Sequence, residues 1–340
     1  MIVLISILIA AGLCAALIAL LFPLMRRYAL ARPNARSSHR VPTPQGGGIA
    51  VLAAMLIVSA GGLALAGSAD ARWGAFAALA AATGALALIG ALDDIQPMPV
   101  APRLAVQAIA VAGLVASAGA GARILAPEIP LAVELALATL AGLWFVNLTN
   151  FMDGLDWLTV AAVVPASAVI AGLGLWGVVG PLETLVAAAL AGALLGFAPY
   201  NKPTARLFLG DVGSLPIGLS LAWLFYALAA QGHVIAAVIL PLYSCTDATL
   251  TLARRALRRE RVLEAHRTHF YQRATDNGRS ALEVSTTILV LNVALAGLAL
   301  LAIVAESGLV DALALVLAAI LVALTLARFA RPALRMGEAR

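Results

Sequence analysis

Five aspartates set the chemistry this chain can do: Asp93, Asp94, Asp153, Asp156 and Asp211, each at the edge of a long apolar run. A charge at the centre of a bilayer costs roughly 2.5–3.5 kcal/mol. Five carboxylates gathered on one face therefore suit a divalent cation, and a cation of that kind serves an anionic substrate. Asp93 and Asp94 lie together in GALDDIQPMP, where they read equally as a solvated stop ahead of Pro97 and Pro99. The densest pattern is NLTNFMDGLDWL, residues 147–158. There Asn147, Asn150, Asp153 and Asp156 recur every three residues, which puts them along one stripe of a helical turn. Amides and carboxylates in a row suit a hydrated cation, a ribose or a base edge. The plain alternative is a polar loop that ends a helix.

Three further segments carry polar groups of the same character. In NKPTARLFLGDVGSLPIG, residues 201–218, Asp211 opens a helix between Gly210 and Gly213. The glycines let a phosphate or a metal approach the backbone, and such a helix start favours an anion; an Asp there also serves as a simple cap. Asn201 begins this segment, and Phe208 suits stacking on a base or anchoring at a membrane interface. In PTPQGGG, residues 42–48, Gly46 and Gly47 either offer backbone N–H groups to phosphate or let helices pack closely. In AHRTHFYQR, residues 265–273, His266 and His269 flank Arg267. Two histidines are too few for a structural zinc site, so they read as phosphate contacts or proton carriers. Arg103 opens the fourth apolar run, where it either steers an anionic lipid group or snorkels.

These residues have to be positioned by elements that live in lipid. Of 340 residues, 63% are apolar and 11% charged, against about 25% charged in an average soluble domain. Without water the backbone must bond to itself, and long Ala/Leu/Val/Ile runs without alternation select helices over a barrel. The reading is all-α, a single polytopic membrane domain over 1–340. Eleven spans fall near 2–24, 46–66, 73–92, 103–120, 131–150, 157–178, 182–200, 209–230, 233–252, 281–304 and 308–329. The first run has no basic residue before it and Arg26-Arg27 after it, so it reads as a retained span with its N-terminus outside. That topology puts 20 of the 22 basic residues in cytoplasmic segments and leaves Arg72 and Arg123 outside; the C-terminus is cytoplasmic. All five aspartates then share the cytoplasmic face. The basic excess suits anionic headgroups and substrates, with no need for nucleic acid. Cys14 and Cys245 form no disulfide framework. Asp247, inside the ninth span, reads as a partner for nearby arginines.

In this order the segments resemble the polyprenyl-phosphate N-acetylhexosamine-1-phosphate transferases, a glycosyltransferase family 4 type of membrane enzyme. The resemblance runs from Pro42 to Arg273. It rests on the paired Asp93-Asp94, on Asn147, Asn150, Asp153, Gly154 and Asp156, and on Gly210, Asp211, Gly213 and Ser214. It implies a bacterial inner-membrane enzyme that transfers a sugar-1-phosphate from a UDP-N-acetylhexosamine to polyprenyl (undecaprenyl) phosphate, releasing UMP. It implies Mg²⁺, with Mn²⁺ as a substitute, held by Asp211 with Asp94. It gives catalytic roles to Asp93, Asp94, Asp153, Asp156, His266 and His269. Asn147, Asn150, Asn201, Phe208, Gly46, Gly47, Arg103 and Arg267 become substrate contacts. Membrane lipids are partners, and the family suggests a homodimer. The histidine element, His-Arg-Thr-His-Phe-Tyr-Gln-Arg, is similar to that of O-antigen-type initiating transferases. The peptidoglycan translocase instead carries consecutive histidines. Trp157 stands where the family usually has glycine, and Gln45 where it usually has arginine. The rival of another class is a proton- or cation-coupled transporter, which predicts acidic residues near mid-bilayer and a related pair of broken helices.

Overall fold

The apolar runs form helices. The computed structural model describes residues 1–31, 42–67, 70–117, 122–261 and 266–333. In chain order the helices are α1 (Ile2–Tyr28), α2 (Gly47–Leu65), α3 (Asp70–Ile95), α4 (Val100–Ser117), α5 (Leu131–Phe151), α6 (Leu158–Leu173), α7 (Pro181–Phe197), α8 (Asp211–Ala230), α9 (Val234–Ile239), α10 (Leu242–Leu257), α11 (Phe270–Asp276), α12 (Ala281–Ala305) and α13 (Gly308–Ala330). A two-residue antiparallel ribbon, β1 (Leu30–Ala31) with β2 (Thr43–Pro44), is the only strand pairing among the described residues, and a single 3-10 turn, Gly174–Trp176, follows α6. Arg32, Arg36, Arg40, Arg335 and Arg340, counted above toward the cytoplasmic face, lie outside the described residues.

Nine helices among the described residues are long and apolar enough to cross a membrane. The expectation of eleven spans differs at two places. α7 is apolar but has only 17 residues. The run 233–252 is broken at Leu240–Pro241 into α9 and α10. Pro241 has no N–H for α9 to use, and its ring disfavours a helical residue before it.

α8 is the axis of the fold. It is buried along almost its whole length and is flanked by α2, α3, α5 and α9. In lipid, helices associate by close packing rather than by expelling water, so small residues decide where backbones meet. Gly48 of α2 sits on Gly213 of α8: a Cβ on Gly48 would fall 2.2 Å from the Gly213 Cα. Across the molecule, α1 crosses α7 at Gly192 and Gly196, where a Cβ would fall 2.2 and 2.3 Å from the carbonyl oxygens of Ile7 and Ala11. The effect is to hold α8, and the Asp211 at its start, hard against α2.

The Gly48 contact predicts its own test. Gly48→Ala forces two backbones apart and should cost about 1–3 kcal/mol, seen as a lower melting temperature in detergent. Gly61→Ala in the same helix meets nothing within 4 Å and should melt like the wild type. Equal melting of the two variants would contradict the packing account.

Candidate active site

The first backbone N–H groups of a helix have no carbonyl partner within it. At α8 they are met from outside. Asp94, near the end of α3, accepts the Asp211 N–H on Oδ1 and the Val212 N–H on Oδ2, both at 3.1 Å. The approach needs Gly210, whose φ is +79° and where a Cβ would fall 2.7 Å from the Asp94 Oδ2. Gln45 holds the other side of Asp94 by donating Nε2 to its backbone carbonyl at 3.2 Å. Asp211 is steadied in turn by Asn150, whose Nδ2 donates to Asp211 Oδ1 at 2.7 Å and to Ser214 Oγ at 2.9 Å. Three segments distant in sequence thus close on one another as expected.

They open into a cavity of about 890 Å³. Its polar lining includes Asp94, Asn147, Asn150, Asp153, Asp156 and Asp211, together with Asn201, His266 and His269. Apolar lining comes from Val100, Leu104, Leu140, Leu143, Trp144 and Leu252, with Phe208. Arg103 also lines the cavity. Burial pushes the Asp153 carboxyl up to about 8. The Thr159 hydroxyl, which donates to it, opposes that rise, and the charges of Asp211, Asp94 and Asp156 add to it.

Several expected contacts are placed differently. Asp93 lies against the Asp211 carboxyl, is paired with Arg103 and accepts the Met98 N–H at 2.7 Å. Arg103 thus has Asp93 as its ion-pair partner while it lines the cavity. Of the two readings of the glycine element, close packing is the one seen: the Gly47 and Gly48 N–H groups donate to the Phe208 and Leu209 carbonyls at 2.9 Å. Gly46 supplies the φ of +102° that starts α2. The glycine element is thus a packing and bridging device. Asn201 spends its amide on the protein, accepting the Trp157 N–H at 2.7 Å and donating to the Leu207 carbonyl at 3.0 Å. Asp156 Oδ2 accepts the Ala205 N–H at 2.9 Å. Arg267 points to Asp276 and Thr275 of α11, at 3.2 and 3.3 Å, and not into the cavity.

Trp157 explains its own oddity. Its φ is +64°, the left-handed region that glycine occupies without strain. The Asn201 bond to its N–H, and the 2.7 Å bond from its indole Nε1 to the Ala198 carbonyl, hold it there. Asp247 differs from expectation too: its partners are not arginines but the N–H groups of Phe270 and Tyr271. Gln45, Tyr271 and Gln272 also line the cavity without having been singled out as contacts; only Gln45 had a signal, as a departure from a pattern.

Among the described residues, no three His, Cys, Asp or Glu side chains form a closed metal cage. The donors here are hard carboxylate oxygens, whose charges add to the burial that raises the Asp153 carboxyl. That set fits Mg²⁺, which takes one or two protein carboxylates and completes its shell with phosphate oxygens and water.

Residues 76–229 match the family described as Glycosyl transferase family 4. A phospho-N-acetylmuramoyl-pentapeptide-transferase from Mycobacterium sp. (strain JLS) is 32% identical over 287 residues, covering 69% of this chain and 79% of the relative. The chain belongs to glycosyl transferase family 4. A second relative of the same name, from Synechococcus elongatus, is 34% identical over 227 residues, 59% of each chain. The part of this family 4 chain that matches the family, 76–229, contains Asp93, Asp94, Asn150, Asp153, Asp156 and Asp211.

The raised Asp153 carboxyl gives a pH prediction with a definite sign. Its folded value, about 8, lies above the roughly 3.9 of a free Asp. The stability it contributes is full below about pH 4 and lost as pH rises through 8. In EDTA the melting temperature should fall between pH 5 and pH 9, with a shallower fall in Asp153→Asn. Identical slopes would exclude a buried, raised carboxyl at this position.

Proposed function

We propose that the chain transfers a sugar-1-phosphate from a UDP-N-acetylhexosamine to polyprenyl phosphate, releasing UMP, on the cytoplasmic face of a bacterial inner membrane. The observation that carries this reading is the mixed lining of the cavity. Acidic and apolar side chains share about 890 Å³. A water-soluble diphosphate and a lipid phosphate have to meet in just such a space. Membership of family 4 and the named relatives support the same chemistry, and the basic bias of one set of loops supports the orientation.

The lipid phosphate is the nucleophile. Its oxygen attacks the β-phosphorus of the nucleotide sugar, the bond from that phosphorus to the bridging oxygen breaks, and UMP carries the electron pair away. A phosphomonoester with a second pKa near 6 is already largely ionised at neutral pH, so the attack needs no strong base. The geometry favours this direct route, because both adjacent aspartates are engaged by protein donors: Asp93 by Arg103 and Met98, Asp94 by α8. Asp93 therefore orients Arg103, and Arg103, which lines the cavity, receives the lipid phosphate. Asn147 and Asn150 hold the nucleotide sugar, and Phe208 faces the base. Bound at Asp211 with Asp94, Mg²⁺ (or Mn²⁺) supplies charge neutralisation of the diphosphate. The remaining barrier is lowered by positioning and fixed charge.

The sugar is GlcNAc or a 6-deoxy relative, and the product initiates a surface polysaccharide such as O-antigen. The form of the histidine element supports this branch; the names of the relatives favour the muramoyl-pentapeptide branch. A transporter has less support: the one break at Pro241 has no matching partner among the described helices.

Membranes carrying the protein should release UMP from one member of a UDP-sugar panel only when polyprenyl phosphate and Mg²⁺ are both present. UDP-N-acetylmuramoyl-pentapeptide belongs in that panel, and its use would move the protein to the other branch. Asp211→Asn should lower kcat at least 10³-fold with an unchanged melting temperature, a loss of about 4 kcal/mol. Wild-type turnover in that variant, or UDP-sugar uptake into vesicles without UMP, would overturn the reading.

A further inference from the structure

The acid cluster leaves one fully buried carboxylate unused, Asp247 of α10. Its Oδ1 accepts the Phe270 N–H at 2.9 Å and its Oδ2 the Tyr271 N–H at 3.2 Å. Tyr243 and Thr251, one turn to either side, donate their hydroxyls to it at 3.1 and 3.3 Å. α11 has seven residues, too few to hold its shape by its own hydrogen bonds. Asp247 acts as its cap from another helix.

The same Oδ1 lies 3.4 Å from Nδ1 of His269. That nitrogen is buried and makes no hydrogen bond of good geometry. His269 lines the cavity, its ring 4.9 Å from that of His266. α11 is also tied to the acidic loop: the Tyr271 hydroxyl donates to the Phe151 carbonyl at 2.9 Å, and a Cβ on Gly154 would fall 2.1 Å from that hydroxyl.

Two roles compete for Nδ1. As the N-cap of α11 it would accept from the Gln272 N–H, and so be unprotonated. Facing a carboxylate oxygen at 3.4 Å it would be protonated, because a bare lone pair there is repelled. The charge–dipole attraction in a buried setting is the larger effect.

We propose that Asp247 is a positioning residue: it keeps a proton on Nδ1 of His269 and so turns Nε2 to the cavity as a proton acceptor. What Nε2 meets rests on the transferase reading; the pairing with Asp247 rests on geometry. A carboxylate orienting an imidazole in this way fixes both its tautomer and its direction.

The direct test is ¹⁵N NMR of the full-length protein labelled at histidine. The chain has four histidines, and His269→Gln assigns the signal. His269 should carry its proton on Nδ1; a bare Nδ1 overturns the proposal whatever the activity. Kinetics supply the second arm. Asp247→Asn and His269→Gln should each lower kcat by about 10–100-fold, with the KM for the nucleotide sugar changed by less than about threefold. The double variant should be no slower than His269→Gln alone. Losses that multiply would show that Asp247 acts through something else. If Asp247→Asn fails to fold, Tyr243→Phe removes one donor and leaves α11 bonded. Its smaller kcat loss should vanish in the His269→Gln background, and a loss that persists there counts against the proposal. A protonated Nδ1 in a protein that transfers no sugar phosphate would sink the transferase reading and leave the pairing intact.

Discussion

At the buried start of α8 two backbone N–H groups point toward the cavity with no carbonyl behind them. Leaving such groups unmet in a low-dielectric interior costs about 1–3 kcal/mol apiece. Asp94 meets both, one on each oxygen. The rest of the acidic site depends on that bond pair. It sets the distance from α3 to α8, requires Gly210 to be bare, and fixes the start of the helix on which Asp211 stands. Asn150 then reaches Asp211 and Ser214 from α5 without having to move either. The negative charge of Asp94 is also favourably placed at the positive end of the α8 dipole.

The cavity has a firm side and an adaptable side. The firm side is α8, buried along its length and pressed on α2 by paired glycines. The adaptable side is α11, a seven-residue helix held by side chains: Asp247 at its start, Arg267 on its flank and Tyr271 against Gly154. Segments with few bonds of their own open at the lowest free energy. Asp211 thus stands on the firm side, while His269 and the loop of Asp153 and Asp156 adjoin the short helix.

Much of this was legible in the sequence, for reasons that also mark where legibility stops. Apolar runs without alternation force helices, and the five aspartates at their edges announce a shared site, which the structure brings to one cavity apart from Asp93. The break at Pro241 was hidden because hydropathy runs unbroken through it; only the proline's missing N–H marked it. Asn201, Gly47 and Arg267 have types that suit phosphate or base. Each also satisfies a backbone or side-chain group that only the folded chain brings near, and Asn201 does so while lining the cavity. Asp247 shows the same limit. A carboxylate beside a run of arginines reads as an ion pair, and nothing local reveals that two N–H groups from residues 23 and 24 positions onward will claim it. Trp157 had a signal, the usual glycine, whose meaning is the left-handed turn.

The central claim is that these carboxylates share a cation with a diphosphate instead of caging one by themselves. Electron–nuclear spectroscopy on the purified protein with Mn²⁺ and UDP measures this directly. The account predicts ³¹P hyperfine coupling to bound Mn²⁺, weak Mn²⁺ binding without nucleotide, and loss of the bound signal in Asp211→Asn. Tight Mn²⁺ binding in the absence of nucleotide, or a bound ion with no phosphorus coupling, would contradict it.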